Sequence, residues 1–384
     1  NLKPGNYRIE EVTAPDGYTI SKNYVTVAVD TDTAYLTDPV TGDAVIDVEY
    51  TNAPVKGQLK IYKQGEVLKG FDKDFQYEMT GLAGAEFEVY AAEDIYTADH
   101  QVDADGQRNL YFAKDALVAT VTTDTDGYAT VKNLPLGRYY VKEKNAPDTY
   151  VLNTVPENVE FAYADQDTAV IEKEISVTDE RQKVSITVEK QDAETGNAAQ
   201  GDATLEGAVY GLYAREDIVH PDGGTGTIHK KDSLITSLTT DKNGEASVSD
   251  LYLGKYYLKE LSAPVGYVLD PTEHEVDCTY EGATVPTVER TSVCKETVIK
   301  QPFQIIKAAN NGKTDADLLQ GVGFSAWLVS DLKVKADGSY DFDSARPVVL
   351  TADGQAEMFT DEKGYARSIP LPYGTYVVRE TTSK

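Results

Sequence analysis

The sequence predicts an all-β protein, a set of tandem β-sandwich domains in an elongated array. Three observations predict it. Val, Thr, Tyr and Gly dominate, with 26 tyrosines against 2 methionines and 1 tryptophan, as in half-buried strands joined by tight turns. No amphipathic helical period runs beyond about two turns. One motif recurs, as "LKPGNYRIEEVTAPDGY" (2–18), "LPLGRYYVKEKNAPDTY" (134–150), "LYLGKYYLKELSAPVGY" (251–267) and "LPYGTYVVRETTSK" (371–384).

The glutamates of these motifs, Glu11, Glu143, Glu260 and Glu380, are separated by 132, 117 and 120 residues. A second motif keeps the same beat: "GQLKIYKQ", "KVSITVEKQD" and "QPFQIIKA" bring in Lys63, Lys190 and Lys307. Each is followed by a Gly-and-aromatic strand, "LAGAEFEVY", "LEGAVYGLY" or "LQGVGFSAW". Between the motifs lie "DTDGYA", "DKNGEA" and "DEKGYA", where glycine supplies the positive φ of a hairpin turn. A repeat of roughly 120 residues with about seven short strands is a sandwich of immunoglobulin size. Two whole domains follow, 56–182 and 183–301, flanked by the C-terminal part of one domain (1–55) and the N-terminal part of another (302–384). The sequence reads as a window on a longer chain of like modules.

The formal net charge of -28 argues against nucleic acid and anionic membrane as partners and for a soluble monomer. No apolar run approaches the ~20 residues of a membrane span, and "NLKPGNYRIEEV" lacks the layout of a signal peptide. Two cysteines exclude a disulfide-rich scaffold, and no Cys/His spacing suggests a metal site. "DTDG" and "DADG" lack the remaining ligands of a calcium loop and read as turns. The four histidines are scattered, and no nucleophile–His–acid set or phosphate loop is present. No cofactor is expected.

Strand parity carries the chemistry. Residues two apart share a face, which aligns Leu59, Ile61 and Lys63; Val184, Ile186, Val188 and Lys190; and Phe303, Ile305 and Lys307. The glutamates fall in the same way, after Tyr139 and Val141 for Glu143, Tyr256 and Leu258 for Glu260, and Tyr7 and Ile9 for Glu11. At the domain ends, Ile46, Val48, Tyr50 and Asn52 share a face, as do Ile175, Val177 and Asp179. Asn52 stands eleven residues before Lys63 and Asp179 eleven before Lys190. Each domain thus points an amine, an acid and an Asn or Asp into its core, where unmatched polar groups are costly. Reaction with one another resolves the cost. Burial favours the neutral amine and the neutral acid. The amine attacks the side-chain carbonyl while the glutamic acid polarises it and shuttles protons. The product is a Lys63–Asp179 amide, with Glu143 as the acid.

These residues resemble Cna B-type, or SpaA-like, domains of Gram-positive surface adhesins and pilins. The likeness rests on "EKQDAETG", on the Leu-x-x-Gly-x-Tyr-x-x-x-Glu-x-x-Ala-Pro-x-Gly-Tyr pattern and on the strand ends "TNAP" and "TDER". The resemblance implies a transthyretin-like sandwich, autocatalytic Lys–Asn/Asp isopeptide bonds, secretion, and anchoring to the cell wall through a region outside this fragment. Carried over, Lys63, Glu143 and Asp179 are lysine, acid and acceptor. Glu11 with Asn52, and Lys307 with Glu380, are half-sets whose partners lie outside the chain. In 183–301, Lys190 and Glu260 are in place, but the acceptor position falls on Glu296. The same domain holds Cys278 and Cys294 on its last hairpin, either as a disulfide or as two buried thiols.

The function expected is a structural stalk segment and not an enzyme, its only chemistry a single self-reaction. Its partners are neighbouring domains of the same chain and a host extracellular ligand at the parent's tip. The competing reading is a ligand-binding adhesin module that uses the long inserts 91–116 and 215–232.

Overall fold

The computed structural model describes residues 2–222, 226–310 and 317–383. Residues 223–225, inside the insert 215–232, lie outside that set. Strands make up nearly all the regular structure, with two short 3-10 turns, Val329–Asp331 and Phe342–Ser344. Among the described residues no helix is long and apolar enough to cross a membrane. The chain divides into two compact units, residues 1–182 with 282–286, and 183–281 with 287–384.

In the first unit, β1 (Lys56–Asp72), β2 (Asp74–Gly81), β3 (Glu86–Ala91), β4 (Leu117–Thr122), β5 (Tyr128–Leu134), β6 (Gly137–Asn145), β7 (Glu157–Phe161) and β8 (Val170–Asp179) follow in order. They form a sheet β4-β3-β6-β7 and a sheet β5-β1-β8, with β2 paired to the distal half of β1. The core lies between the faces of Leu59, Ile61 and Val177 and of Phe87, Val89, Tyr139 and Val141, as aligned sheet packing requires. β1 and β8, first and last in sequence, are neighbours and run parallel.

The second unit repeats the plan with β9 (Lys183–Asp192), β10 (Val209–Ala214), β11 (Leu234–Thr239), β12 (Glu245–Leu251), β13 (Gly254–Ser262), β14 (Glu273–Cys278) and β15 (Thr287–Glu296). The sheets are β12-β9-β15 and β11-β10-β13-β14, and β9 is again parallel to the last strand, β15. Residues 302–383 add a third core around Val322, Phe324, Leu350 and Met358. Within 2–55, Gly5–Glu10 pairs with Tyr24–Val29.

Three turn glycines set the position of the lysine strands. Gly127, Gly244 and Gly364 have φ of 83°, 82° and 70°, and their carbonyls accept from the N–H groups of Lys63, Lys190 and Lys307 at 2.7, 2.8 and 2.8 Å. A Cβ at Gly127 would lie 2.5 Å from the Lys63 carbonyl oxygen. The glycine turns of the sequence therefore seat directly on the lysine strands.

Of the two arrangements expected for the cysteines, the disulfide is not the one found. Cys278 and Cys294 are free, buried thiols, on strands of different sheets. Cys278 pairs with Gly254. Cys294 instead pairs with Lys190 and packs as a small core residue.

Candidate lysine–carboxylate centres

Strand alternation delivers each reactive side chain. β1 alternates buried and part-exposed residues as far as Lys63, which is fully buried. On β6, Tyr139, Val141 and Glu143 are buried while Arg138, Lys142 and Lys144 face out. On β8, Val177 and Asp179 are buried between exposed Ser176 and Thr178. Lys63 pairs with Val177 and Gly65 with Asp179, so the lysine and the carboxylate two residues on share a face of one parallel ladder. Gly65 leaves room for this approach, since a Cβ there would sit 2.6 Å from Leu82 Cδ1 and 3.0 Å from the Asp179 carbonyl oxygen.

The three groups meet with no side-chain exposure. Lys63 Nζ lies 2.7 Å from Glu143 Oε1 and in contact with Asp179 Oδ1. Neither Lys63 Nζ, nor Glu143 Oε1, nor either Asp179 oxygen makes an ordinary hydrogen bond. The other oxygen of the glutamate, Oε2, accepts from the Asn153 N–H at 2.8 Å. Burial pushes the Asp179 carboxyl up to about 7; the Lys63 contact opposes that rise and the Glu143 charge adds to it.

The second centre has the same layout. Lys190 pairs with Cys294 and Asp192 with Glu296, which places Glu296 where Asp179 stands in the first. Lys190 Nζ touches Glu296 Oε2 and lies 3.7 Å from Glu260 Oε1, again without side-chain exposure beyond 1%. The Asp270 N–H donates to Glu260 Oε2 at 2.8 Å. Burial pushes Glu260 up to about 7, with the Asp270 N–H opposing and the Glu296 carboxyl adding to the rise.

The half-sets are looser. Asn52 Nδ2 donates to Glu11 Oε2 at 2.7 Å and to the Thr19 carbonyl at 2.8 Å, and the Ser21 N–H also donates to Glu11 Oε2. Lys307 Nζ lies 2.6 Å from Glu380 Oε2, with 30% and 35% of the side chains exposed. The acceptor positions correspond throughout, because Tyr18 bridges Pro54, Tyr150 bridges Arg181 and Tyr267 bridges Val298. Each bridge falls two residues past Asn52, Asp179 or Glu296.

Sequence reasoning missed several participants. The backbone N–H ten residues beyond each glutamate, at Ser21, Asn153 and Asp270, grips its Oε2; the loop after "APxGY" folds back to do so, and no side-chain signal marks it. Tyr210 donates its hydroxyl to Glu296 Oε1 at 2.6 Å. Aligning "LAGAEF" with "LEGAVY" would have found it, as the position where tyrosine replaces Phe87. Buried Thr123 accepts from the Ala85 N–H and donates to the Leu82 carbonyl, and Thr240 and Thr360 repeat the clasp.

A dry cluster of one amine and two carboxyl groups can condense. Among the described residues, no group of three or more His, Cys, Asp or Glu is placed to hold a metal ion.

The chain is similar to known proteins. Over 121 residues the chain is 31% identical to the trypsin-resistant surface T6 protein of Streptococcus pyogenes serotype M6, covering 32% of this chain and 19% of that protein. The chain thus spans about a fifth of that relative. Among solved structures, the Bacillus anthracis TIE protein matches 86% of this chain and 46% of its own at 22% identity and a TM-score of 0.47. The shaft pilin SpaA of Lactobacillus rhamnosus GG matches 64% of this chain and 99% of its own at 16% identity and a TM-score of 0.24. The family pattern described as SpaA, prealbumin-like fold domain, matches residues 1–41, 70–179 and 184–291. With more than half its length matched, the chain belongs to the SpaA prealbumin-like domain family.

Proposed function

We propose that the chain is a load-bearing stalk segment of a Gram-positive cell-surface pilin or adhesin, secreted and anchored to the cell wall through another region. Its modules are 1–55, 56–182, 183–301 and 302–384, and the gap in the family match between 179 and 184 supports the central boundary. The observation that carries the reading is the dry Lys63–Glu143–Asp179 cluster, whose lysine and acceptor sit on adjacent parallel strands that begin and end the module.

The cluster supports one reaction. Neutral Lys63 attacks Asp179 Cγ, whose carboxyl is held protonated by burial. Glu143 takes a proton from the amine and passes it to the departing oxygen, which leaves as water. Glu143 is aimed for this by the Asn153 N–H, which fixes one oxygen and leaves the other on Lys63. In the 1–55 module, the Asn52 nitrogen that would leave as ammonia already rests on Glu11. Each set reacts once, with no turnover on an outside substrate.

The mechanical consequence follows from the ladder. Tension entering at residue 56 runs along β1 to Lys63, crosses to Asp179 and leaves at residue 180, so residues 64–178 carry none. Adjoining modules are tied inside each unit: the Asp202 N–H donates to the Tyr373 carbonyl at 2.8 Å, and the Ala14 N–H donates to Gln166 Oε1 at 2.9 Å. Resistance to stretch and heat is the expected property.

The test is the intact mass of the denatured, reduced chain beside its Lys63→Ala and Glu143→Ala variants. A deficit of one water that vanishes in both supports the reading, whereas an unmodified parent mass removes it. A second reading, ligand binding, has one feature in its favour: the insert 91–116 folds Ile95–Tyr96 onto Leu110–Phe112 and exposes Tyr96, Leu110 and Tyr111. Glycan or host-protein binding that is lost with the inserts 91–116 and 215–232 would favour it.

A further inference from the structure

Tyr210 holds the place that Phe87 holds in the preceding module. Tyr210 pairs with Glu260 across the β10–β13 ladder, as Phe87 pairs with Glu143 and Phe324 with Glu380. Of the two complete centres, the second alone therefore has a hydroxyl at this point, and it alone has glutamate as acceptor. The backbone register of acceptor on lysine is the same in both, so the extra methylene of Glu296 carries its carboxyl further into the core than Asp179 reaches. There the tyrosine hydroxyl, buried and 2.6 Å away, donates to Oε1. Oε2 is left facing Lys190, so the two carboxyl oxygens have separate partners.

We propose that Tyr210 is a catalytic hydrogen-bond donor matched to Glu296, and that the pair allows a Lys190–Glu296 amide where the family pattern has Asn or Asp. The proposal rests on the self-cross-linking reading above. Lys190 Nζ, as a neutral amine, attacks Glu296 Cδ. Negative charge develops on Oε1, where the Tyr210 hydroxyl already points, as a donor must to stabilise it. The bond from Cδ to Oε2 then breaks. Glu260 carries one amine proton to Oε2, which with the proton of the acid leaves as water, and Oε1 remains as the amide oxygen, still accepting from Tyr210. One C–N bond forms, one C–O bond breaks, and no other reactant enters.

The first module shows why the hydroxyl goes with the longer acceptor. With Phe87 in place, Asp179 receives no such donor; its carboxyl lies on Lys63 and beside Glu143. A longer side chain in that setting would carry one oxygen into apolar surroundings, which is unfavourable without a partner. Tyrosine supplies that partner with almost no change of ring packing.

The test follows water loss by intact mass in the full chain after cell-free synthesis, with Lys63→Ala and Lys190→Ala assigning the two losses. The parent is expected to lose two waters. Tyr210→Phe should leave the Lys63-dependent loss unchanged and slow the Lys190-dependent loss at least about tenfold, removal of one such donor commonly costing about 10²–10³ in rate. Adding Glu296→Asp to Tyr210→Phe recreates the pairing of the first module and should restore the second loss. A Tyr210→Phe chain that loses the second water at the parent rate overturns the proposal. So does equal slowing of both losses, which would mark a general packing defect. A parent that loses only the Lys63-dependent water overturns the proposal while the stalk reading stands; a parent that loses neither removes that reading itself.

Discussion

Asp179 lies on the same face of the β1–β8 ladder as Lys63, one step of two residues past the lysine's own partner, Val177. Glu296 stands in the same relation to Lys190, past Cys294. Parallel pairing of the first and last strands is what makes this possible, since in an antiparallel pair the acceptor two residues on would move the other way. The ladder therefore fixes which lysine meets which carboxyl group.

Removing one member of a buried set should cost far more than removing one of an exposed pair. Lys63→Ala leaves two buried carboxyl groups facing each other, a change on the order of 3–5 kcal/mol. Lys307→Ala loses a pair about a third exposed and should cost under about 1 kcal/mol. Denaturant unfolding of the two variants, each with its own transition, measures the difference.

The acceptor's protonation gives the cross-linking rate a pH limb. The Asp179 pKa is raised in the fold to about 7, so the protonated form that can release water is present below that value and is lost as pH rises through it. Bond formation at Asp179 should slow on going from about pH 6 to about pH 8, roughly one unit either side of the raised pKa, followed by mass after dilution into each buffer. Asp179→Asn removes that titration: it should release ammonia in place of water, with no decline in rate over the same range.

The turn glycine beneath the lysine strand should prove intolerant of a side chain. Gly127→Ala forces a positive φ on alanine, worth roughly 1–3 kcal/mol, and drives a Cβ to 2.5 Å from both Gly81 Cα and the Lys63 carbonyl oxygen. Because these are backbone atoms, β1 must shift. The expected result is a slower Lys63-dependent water loss with the Lys190-dependent loss unchanged, and a shift in both would contradict it.

The buried threonine clasp gives a prediction free of the cross-link. Thr123→Val keeps shape but leaves the Ala85 N–H and the Leu82 carbonyl without their side-chain partner. Thermal unfolding should show a loss of about 1–3 kcal/mol, with a similar loss for Thr240→Val, whose hydroxyl clasps Ala208 and Leu205.

Much of this was legible in the sequence because strand side chains alternate strictly. Lys63, Glu143 and Asp179 could be assigned to one core from parity alone, since a single-residue slip would have put each in solvent. Glu296 could be placed by its spacing, because the connection between acceptor and next lysine is constant in length. Long-range backbone contacts were not legible: nothing about Asn153 or Asp270 as residue types marks their N–H groups as ligands of a glutamate. The long β1–β2 hairpin was also missed. Its distal strands carry "EVLKGFDKDFQYEM", in which exposed Phe71, Tyr77 and Met79 blur the alternation. The cysteines could not be decided from sequence, because neighbouring strands in the chain lie here in different sheets and nothing in their spacing marks that.

The adjacency of β1 and β8 has a topological consequence. With Lys63 joined to Asp179, residues 63–179 become a closed ring from which the rest of the chain leaves as two tails. A single cut anywhere on that ring, for instance in the solvent-facing insert 91–116, opens the ring but does not part the tails. The surface loops of such a module can vary, lengthen or be nicked while the chain on either side stays one molecule.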